Sequence, residues 1–379
     1  MKKAFLVFLG FIFLIVLIYA FHFLNAFSIF KRVNNIPQIS KNDSKQSESK
    51  NTDIPQISTV AKNLEVPWAL VFLPDGSMLV TERPGRLRLI DADGNLLQTP
   101  VATISKVKQI GEGGLLGITA SPQFSTNHFI YLYYTYSGDG QNTLNRVSRF
   151  TYQNQQLTDE KIIVDNIPGA VFHNGGRIKF GPDNFLYITA GDSLNPSLAQ
   201  DTNSLAGKIL RVTEDGKSAP GNPFGNLVYS FGHRNPQGLT WDSDGKLWET
   251  EHGQTATDEI NLIEPGKNYG WPTIRGDEKK EGLVSPVLHS GQDTWAPSGL
   301  VHLNGSLYFG GLRGQALFEA KIENSKLTLK THLKGQLGRI REVLIGPDNM
   351  LYITTSNRDG RGVPLAGDDK IIRINPEKL

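Results

Sequence analysis

A short segment that occurs twice, far apart in the chain, constrains the fold most strongly. GPDNFLYIT at residues 181–189 returns as GPDNMLYIT at residues 346–354. An Asp-Asn pair between two apolar, β-rich runs is typical of a hairpin turn, because these residues tolerate positive φ. Two near-copies of one hairpin, so widely separated, indicate a structural unit that is repeated along the chain.

The same hairpin pattern recurs in further units, spaced by roughly 40–60 residues as in propeller repeats. The six units lie at residues 69–82, 116–136, 178–192, 239–253, 300–314 and 343–357. With about four strands per unit, they predict an all-β, six-bladed β-propeller. Residues 57–64 are expected to add a strand to the last blade and close the ring. A pair of β-sandwiches is the alternative, and the near-identity of the third and sixth units favours the propeller.

The N-terminal segment is expected to be separate from the propeller. Two lysines precede an almost entirely apolar run that is long enough to span a bilayer as a helix. We favour an uncleaved signal-anchor over residues 1–30 rather than a cleaved signal peptide, followed by a flexible linker at 31–57 and the propeller domain at 58–379. Both interpretations predict an extracytoplasmic (periplasmic or cell-surface) protein, and the favoured one anchors it to the cytoplasmic membrane.

Composition excludes several classes of function. Lys and Arg together number 39 against 37 for Asp and Glu, so no excess of positive charge favours nucleic acid as a partner. The chain has no cysteine, which excludes disulfides, thiolate metal sites and a thiol nucleophile. GEGGLLG at 111–117 lacks the spacing and the βαβ context of a dinucleotide-binding loop.

His173 and Asp192 flank the hairpin of the third unit, where the sixth unit has Gly338 and Asn357. Both side chains are therefore expected at the same end of the sheet. A carboxylate that orients an imidazole fixes its tautomer and raises its basicity, as a general base requires. A structural His–Asp hydrogen bond that closes a turn would have the same spacing, so the spacing alone leaves both interpretations open.

Several cationic and amide side chains fall in loops at the ends of the predicted blades: Arg234, Asn235, Arg313, Arg339 and Arg341. Arginines that converge from several loops would bind a polyanion through bidentate contacts. Taken singly, each arginine is equally compatible with an ordinary surface position or a salt bridge.

An acidic segment at 249–263 contains Glu251, Asp258 and Glu259. Carboxylates and loop carbonyls are the hard oxygen ligands that calcium prefers. The segment lacks the ligand spacing of an EF-hand, and a solvated acidic loop is the alternative.

Taken together and in this order, several stretches between Val60 and Pro376 carry a family resemblance: VPWALVFLPDG, GEGGLLGI, HNGGRIKFGPD, GHRNPQGL, DEINLIEPGKNYGWP, APSGL and GRIRE. The chain resembles the soluble quinoprotein glucose dehydrogenase family, in its aldose sugar dehydrogenase branch, which uses pyrroloquinoline quinone (PQQ). The resemblance implies a six-bladed propeller with PQQ across one end. It also implies oxidation of an aldose at C1 to the lactone.

The resemblance implies roles at the substrate side of the site. His173 matches the family's general base, which takes the proton of the anomeric hydroxyl while hydride passes to the quinone. Asp192 matches the carboxylate that orients this histidine. Glu112 falls where glucose-specific members have a glutamine near the substrate.

The resemblance also implies a cofactor set. Arg234 and Asn235 match residues beside the reactive carbonyls of the quinone, where the arginine would act catalytically on the developing negative charge. Arg339 and Arg341 match a pair that holds the carboxylates of PQQ. Arg313 stands where some members have a lysine.

Calcium is implied in the same way. In the family, one ion joins the quinone to two successive backbone carbonyls, which map to Gly253 and Gln254. The loop departs from the family here, because other members often have proline at the second position. Asp258, Glu259 and Tyr269 fall in a region that holds another calcium in some members.

Two alternatives of other classes remain to be distinguished. One is a non-catalytic propeller that binds carbohydrate or protein, since fold does not determine function. The other is a calcium-dependent hydrolase such as a lactonase. The sequence identifies neither the sugar nor the physiological electron acceptor.

Overall fold

The computed structural model describes residues 54–140, 142–324 and 326–379. These residues form six four-stranded antiparallel sheets that follow one another along the chain. The predicted six-bladed β-propeller is therefore confirmed. The expected signal-anchor and the linker up to residue 53 lie outside the described residues. Within the ranges that the structure covers, no helix is long and apolar enough to cross a membrane.

Each blade uses strands in chain order, except the last. Blade 1 contains β2 (Pro67–Phe72), β3 (Met78–Glu82), β4 (Arg86–Ile90) and β5 (Ala102–Thr103). Blade 2 contains β6 (Leu115–Ala120), β7 (Phe129–Ser137), β8 (Thr143–Gln153) and β9 (Gln156–Gly169). Blade 3 contains β10 (Ile178–Phe180), β11 (Leu186–Ala190), β12 (Lys208–Val212) and β13 (Val228–Phe231).

The second half of the ring repeats this order. Blade 4 contains β14 (Pro236–Trp241), β15 (Leu247–Glu251), β16 (Glu259–Ile263) and β17 (Leu288–His289). Blade 5 contains β18 (Pro297–Leu303), β19 (Ser306–Gly311), β20 (Ala316–Glu323) and β21 (Lys326–His332). Blade 6 contains β22 (Ile340–Ile345), β23 (Leu351–Thr355), β24 (Ile371–Ile374) and β1 (Ile57–Ala61). Helical structure in the described residues is limited to α1 (Phe124–Asn127) and two 3₁₀ turns at Pro196–Gln200 and Pro376–Lys378.

The ring closes as the sequence predicted. β1 pairs antiparallel with β24, with Ile57 opposite Ile374 and Ser58 opposite Arg373. This strand begins one residue before the expected domain start at 58. Because the first strand of the domain completes the last blade, separating the first and last blades would break a sheet, and the closure stabilises the ring.

The two near-identical segments form the same turn. In blade 3, Asn184 N donates to the Gly181 carbonyl at 2.9 Å, and in blade 6 Asn349 N donates to the Gly346 carbonyl at 3.0 Å. Asn184 and Asn349 have φ of 61° and 58°, the left-handed conformation that asparagine tolerates. The repeated sequence is therefore a repeated hairpin, on two blades that lie opposite each other in a ring of six.

The first strand of each blade lines the centre of the ring, and neighbouring blades pack through these strands. One ion pair crosses the centre, between Arg177 at the start of blade 3 and Glu342 in β22 of blade 6. The Arg177 guanidinium also lies 4.5 Å from the ring centroid of Trp68, which is 1% exposed. These contacts hold opposite blades at a fixed separation beneath the end where the predicted site residues lie.

Candidate active site

One end of the ring collects the predicted site residues because the strands of each blade are antiparallel. The second strand of a blade ends where the first begins, so residues before the first strand and after the second strand share one end of the propeller. Asp192 follows β11, and Arg234 and Asn235 precede β14. Arg339 directly precedes β22. The structure therefore brings blades 3, 4 and 6 together around one opening.

The histidine and the aspartate that flank the third hairpin form a hydrogen bond. His173 Nδ1 lies 2.8 Å from Asp192 Oδ1, and the aspartate is buried. Asp192 Oδ1 also accepts the Leu194 N–H at 2.9 Å, and its Oδ2 accepts Trp271 Nε1–H at 2.8 Å. A carboxylate at Nδ1 favours the Nδ1–H tautomer, so Nε2 is the nitrogen that remains for proton transfer. The His173 side chain stays 14% exposed, as a base that meets a substrate requires.

Glu112 reaches this histidine from the loop before blade 2. Its Oε2 accepts the His173 backbone N–H at 3.2 Å, and its Oε1 pairs with Arg361 Nη1 at 2.7 Å. Burial raises the pKa of Glu112, but the neighbouring His252 and Arg361 outweigh burial and hold the pKa below its ordinary value. Glu112 is therefore an ionised carboxylate beside the candidate base.

Arg234 is oriented by blade 4. Its backbone N–H donates to Glu251 Oε2 at 2.8 Å, and its Nη1 donates to the His252 carbonyl at 3.1 Å. The guanidinium carbon lies 5.4 Å from the ring centroid of Trp271, in cation–π contact. Its buried Nε has no hydrogen-bond partner in the described residues. This N–H is therefore available to a ligand.

Asn235 also has a buried N–H donor that is available to a ligand. Its Oδ1 accepts the Gly175 N–H at 3.1 Å, whereas its buried Nδ2 has no partner among the described residues. A buried donor without a partner costs about 1–3 kcal/mol. Two such donors at adjacent positions indicate a site built for an acceptor that comes from outside the chain.

Blade 6 contributes a pair of buried arginines that share one carboxylate. Arg339 Nη2 lies 2.8 Å from Asp359 Oδ2, and Arg341 Nη2 lies 3.9 Å from the same oxygen. Arg339 Nη1 also donates to the Leu312 carbonyl at 3.1 Å, and Arg341 Nη1 to Gln237 Oε1 at 3.2 Å. Burial lowers the pKa of Arg341 to about 9 against the attraction of Asp359. Two buried cations with one counter-ion favour binding of an additional anion.

Arg313 lies at the same end of the ring, after β19, and it is exposed. Among the described residues, it forms no hydrogen bond or ion pair with the other predicted site residues.

The predicted calcium loop follows β15. Gly253 N donates to Asp258 Oδ1 at 2.9 Å, and Gln254 Oε1 accepts Arg275 Nη1 at 2.7 Å. Asp258 Oδ2 accepts the Trp295 N–H at 2.6 Å, so backbone amides engage both of its oxygens and this carboxylate fixes the loop. The carbonyl oxygens of Gly253 and Gln254 accept no hydrogen bond from the described residues. They keep the lone pairs that a hard cation needs.

A buried polar cluster lies beside this loop, on strands β15 and β16. Glu251 pairs with Glu259 across the ladder, and Glu249 pairs with Asn261, so all four side chains share one face. His233 Nδ1 lies 3.7 Å from Glu251 Oε1. Burial, followed by the charge of Glu251, raises the pKa of Glu259 to about 8. His233 Nδ1, Glu249 Oε1 and Asn261 Oδ1 have no hydrogen-bond partner among the described residues. His233, Glu249 and Glu251 are spaced as metal ligands.

Tyr269 borders this cluster through its ring, which stacks on His233 at 4.8 Å between centroids. Its hydroxyl donates to the Leu262 carbonyl at 2.7 Å and accepts the Glu264 N–H at 2.8 Å. The hydroxyl is therefore engaged in the blade, and a metal-binding role for this residue depends on its backbone carbonyl.

Sequence reasoning missed three residues that shape the site: Trp271, Asp359 and Glu249. Asp359 could have been found by comparing the residues that follow the second strand in each unit. Glu249 could have been found from its alternation with Glu251 on one strand. Trp271 contacts Asp192 across 79 positions of sequence, and no local signal indicates that contact.

Comparison with known proteins identifies the family of this chain. The sequence matches the Glucose / Sorbosone dehydrogenase family over residues 64–367. It is 32% identical over 338 residues to aldose sugar dehydrogenase YliI of Escherichia coli (strain K12), which covers 80% of this chain and 91% of that protein. It is 32% identical over 261 residues to quinoprotein glucose dehydrogenase B of Acinetobacter calcoaceticus, which covers 59% of this chain and 54% of that protein.

The fold is also similar to that of a solved sugar dehydrogenase. The PQQ-bound form of aldose sugar dehydrogenase from Streptomyces coelicolor is similar with a TM-score of 0.79 and 40% identity, over 85% of this chain and 99% of that one. The family match covers most of the described propeller: all of blades 1 to 5 and the two inner strands of blade 6, β22 and β23. The chain therefore belongs to the glucose/sorbosone dehydrogenase family of oxidoreductases.

Proposed function

We propose that this protein is a PQQ-dependent aldose dehydrogenase that oxidises the sugar at C1 to the lactone. The observation that carries the proposal is the hydrogen-bonded chain Trp271–Asp192–His173. Its histidine and aspartate flank the first hairpin of blade 3, opposite the arginines of blade 6, and its tryptophan comes from a loop of blade 4. A platform that only binds glycans requires neither an oriented imidazole nor two buried arginines that share one carboxylate.

The donor set fits PQQ, a planar quinone tricarboxylate. Arg339 and Arg341 form the more cationic side of the opening, suited to carboxylates. Arg234 Nε and Asn235 Nδ2 are buried donors that have no hydrogen-bond partner among the residues described, and they are suited to carbonyl oxygens. PQQ, when bound, would supply the hydride acceptor, because none of the side chains present can accept hydride.

His173 would accept the proton of the anomeric hydroxyl at Nε2. Its positive charge would then be stabilised by Asp192, which Trp271 and Leu194 hold in place with hydrogen bonds of 2.8 and 2.9 Å. The ionised Glu112 beside the histidine would accept a hydrogen bond from a sugar hydroxyl. Arg234 would stabilise negative charge that develops at the reacting oxygens.

Calcium is part of the proposal. The carbonyl oxygens of Gly253 and Gln254 accept no hydrogen bond within the described part of the chain, which supports a cation at this loop. A second cation would be held beside it by Glu259 and the Tyr269 carbonyl, with Glu251 on the adjacent strand. The buried carboxylates support this second site, because like charges in a low-dielectric interior need protons or a cation.

We also propose an extracytoplasmic location with an N-terminal membrane anchor. The support is the apolar run within residues 1–30, with basic residues on both sides. The aldose substrate follows from the family.

The test is turnover by the full chain reconstituted with PQQ and calcium, with a panel of aldoses and an artificial electron acceptor. We expect PQQ-dependent oxidation of several aldoses, and loss of that activity in His173→Gln with unchanged PQQ binding. Lactone hydrolysis that needs calcium but not PQQ would favour the hydrolase alternative instead. Tight glycan binding without PQQ binding would favour the binding platform.

A further inference from the structure

Arg83 is a buried arginine at the candidate site, and the proposed function gives it no role. It directly follows β3, the second strand of blade 1. Asp192 follows the second strand of blade 3 and Asp359 that of blade 6, so all three lie at the same end of the ring. The side chain of Arg83 packs against Gly114 in the loop before blade 2. A residue with a Cβ would not fit at position 114, because that Cβ would lie 2.5 Å from Arg83 Cγ.

The Arg83 side chain is buried without an adequate partner. The residue is 8% exposed, and its Nε has no hydrogen-bond partner in the described residues. Its Nη2 makes one long contact, 3.5 Å to the Asp359 carbonyl. A charge taken out of water is costly unless it is paired, so the residues that the structure describes leave this guanidinium unsatisfied.

Other buried arginines of the described residues are paired. Arg177 has Glu342, and Arg339 and Arg341 have Asp359, each within 3.9 Å. Arg83 has no carboxylate at that distance among the described residues. The difference is therefore specific to this position and is not a general property of arginines in the fold.

The local charges do not balance. The charges that act on Arg83 include the carboxylates Asp359 and Glu112 and the cations Arg339, Arg341 and Arg361. Arg339 already occupies Asp359 at 2.8 Å, and Arg361 occupies Glu112 at 2.7 Å. Burial lowers the pKa of Arg83, and Asp359 and Glu112 oppose that effect. A buried cation remains without its own counter-ion, at the opening where an anionic cofactor is proposed.

We infer that Arg83 binds a carboxylate of the quinone cofactor from blade 1, next to the Arg339 and Arg341 pair of blade 6. The inference rests on the proposed function and adds a binding residue to it. A guanidinium with free N–H groups in a buried site makes charge-assisted, often bidentate, hydrogen bonds to a carboxylate. Arg83 is thus a cofactor-binding residue and takes no part in proton transfer.

The test compares two probes on the full apo-protein with calcium present: PQQ and its trimethyl ester, which lacks the carboxylate charges. Equilibrium dissociation constants are measured by quenching of tryptophan fluorescence. Arg83→Gln is expected to weaken PQQ binding by about 10- to 100-fold, the range for a lost hydrogen bond to a charged group. The same substitution is expected to change binding of the ester by less than about threefold, because no carboxylate charge is lost.

Arg211→Gln is the matched control, because Arg211 pairs with Asp183 in the turn at the opposite end of blade 3. It is expected to leave the affinity for PQQ unchanged. Arg83→Lys keeps the charge but loses the planar fork, so its affinity for PQQ is expected between those of the wild type and Arg83→Gln. If Arg83→Gln does not fold, Arg83→Lys carries the test.

The outcomes separate the inference from the function on which it rests. If the wild type does not bind PQQ, the proposed function fails and this inference fails with it. If the wild type binds PQQ and a folded Arg83 variant binds it equally well, only this inference is overturned. An equal loss of affinity for PQQ and for the ester would also overturn it, because that result indicates a change in the shape of the site.

Discussion

Replacing Asp192 by asparagine tests how the candidate base is held. Asp192 accepts hydrogen bonds on both oxygens, from His173 and Leu194 on Oδ1 and from Trp271 on Oδ2. Asparagine has one oxygen and one NH₂ group. Whichever way the amide turns, the NH₂ faces an N–H donor: Trp271 in one orientation, and Leu194 and His173 in the other.

The magnitude follows from these contacts. If the amide oxygen turns to Trp271, His173 loses its acceptor and its tautomer preference, and the general-base contribution of about 10²–10⁴-fold is lost. If it stays with His173, Trp271 Nε1–H is left buried and unpaired, at about 1–3 kcal/mol. We expect the first orientation, because the neutral imidazole of His173 can move its proton to Nε2 and accept a hydrogen bond from the NH₂ group at Nδ1. Asp192→Asn should therefore lower kcat/KM by about 10²–10⁴-fold.

Trp271→Phe provides the control for this reasoning. In the double variant Asp192→Asn/Trp271→Phe, the NH₂ group no longer faces the indole N–H, so the amide oxygen can accept from His173. We expect the double variant to be about tenfold more active than Asp192→Asn alone, as removal of a penalty of about 1–3 kcal/mol predicts.

The assay is steady-state oxidation of an aldose by each PQQ-loaded variant, with PQQ affinity measured separately. A kcat/KM for Asp192→Asn within about threefold of the wild type would refute the base assignment, since loss of a general base costs at least about 10²-fold. Equal activity of the single and double variants would refute the proposed orientation of the amide.

Three further results are expected. Arg339→Ala/Arg341→Ala should weaken PQQ binding at least about 100-fold, because two hydrogen-bonding cations are lost, and an unchanged affinity by fluorescence titration would contradict their assignment. Removal of calcium with EGTA should lower both the thermal unfolding midpoint and the affinity for PQQ. Glu259→Gln should reduce the effect of calcium on the unfolding midpoint and leave its effect on PQQ affinity unchanged. An unfolding midpoint that does not respond to calcium would argue against a resident ion. Burial lowers the pKa of half-buried Lys179 to about 8 from 10.5, so the unfolded chain holds this proton more tightly and stability rises with pH between about 8 and 10.5. Lys179→Met should therefore raise the free energy of unfolding at pH 7 by about 1–3 kcal/mol, with the difference shrinking across that pH window in urea titrations.

The sequence predicted the blades because their determinants are local. An Asp-Asn or Asp-Gly turn between β-rich runs specifies a hairpin wherever it occurs, and the structure has the same turn at Asn184 and Asn349. Antiparallel pairing then determines which residues lie at which end of a sheet. For this reason His173 and Asp192 could be placed together from their positions alone.

The rest of the site depends on contacts between blades. Trp271 reaches Asp192 from a loop of blade 4, and Arg361 of blade 6 pairs with Glu112 before blade 2. No periodicity in the sequence indicates which loops meet over the centre of a ring. The acidic segment was ambiguous for the same reason, because only the register that places Glu251 opposite Glu259 distinguishes a buried cluster from a solvated loop.

The proposed function is tested most directly by a single anaerobic experiment. The full chain, loaded with PQQ and calcium, is mixed with an excess of an aldose without any electron acceptor, and the absorbance of the oxidised quinone is followed. We expect the quinone absorbance to bleach in one turnover with formation of one equivalent of lactone, and to bleach far more slowly in His173→Gln. A quinone that is bound but stays oxidised in the presence of every aldose tested would contradict the proposed function.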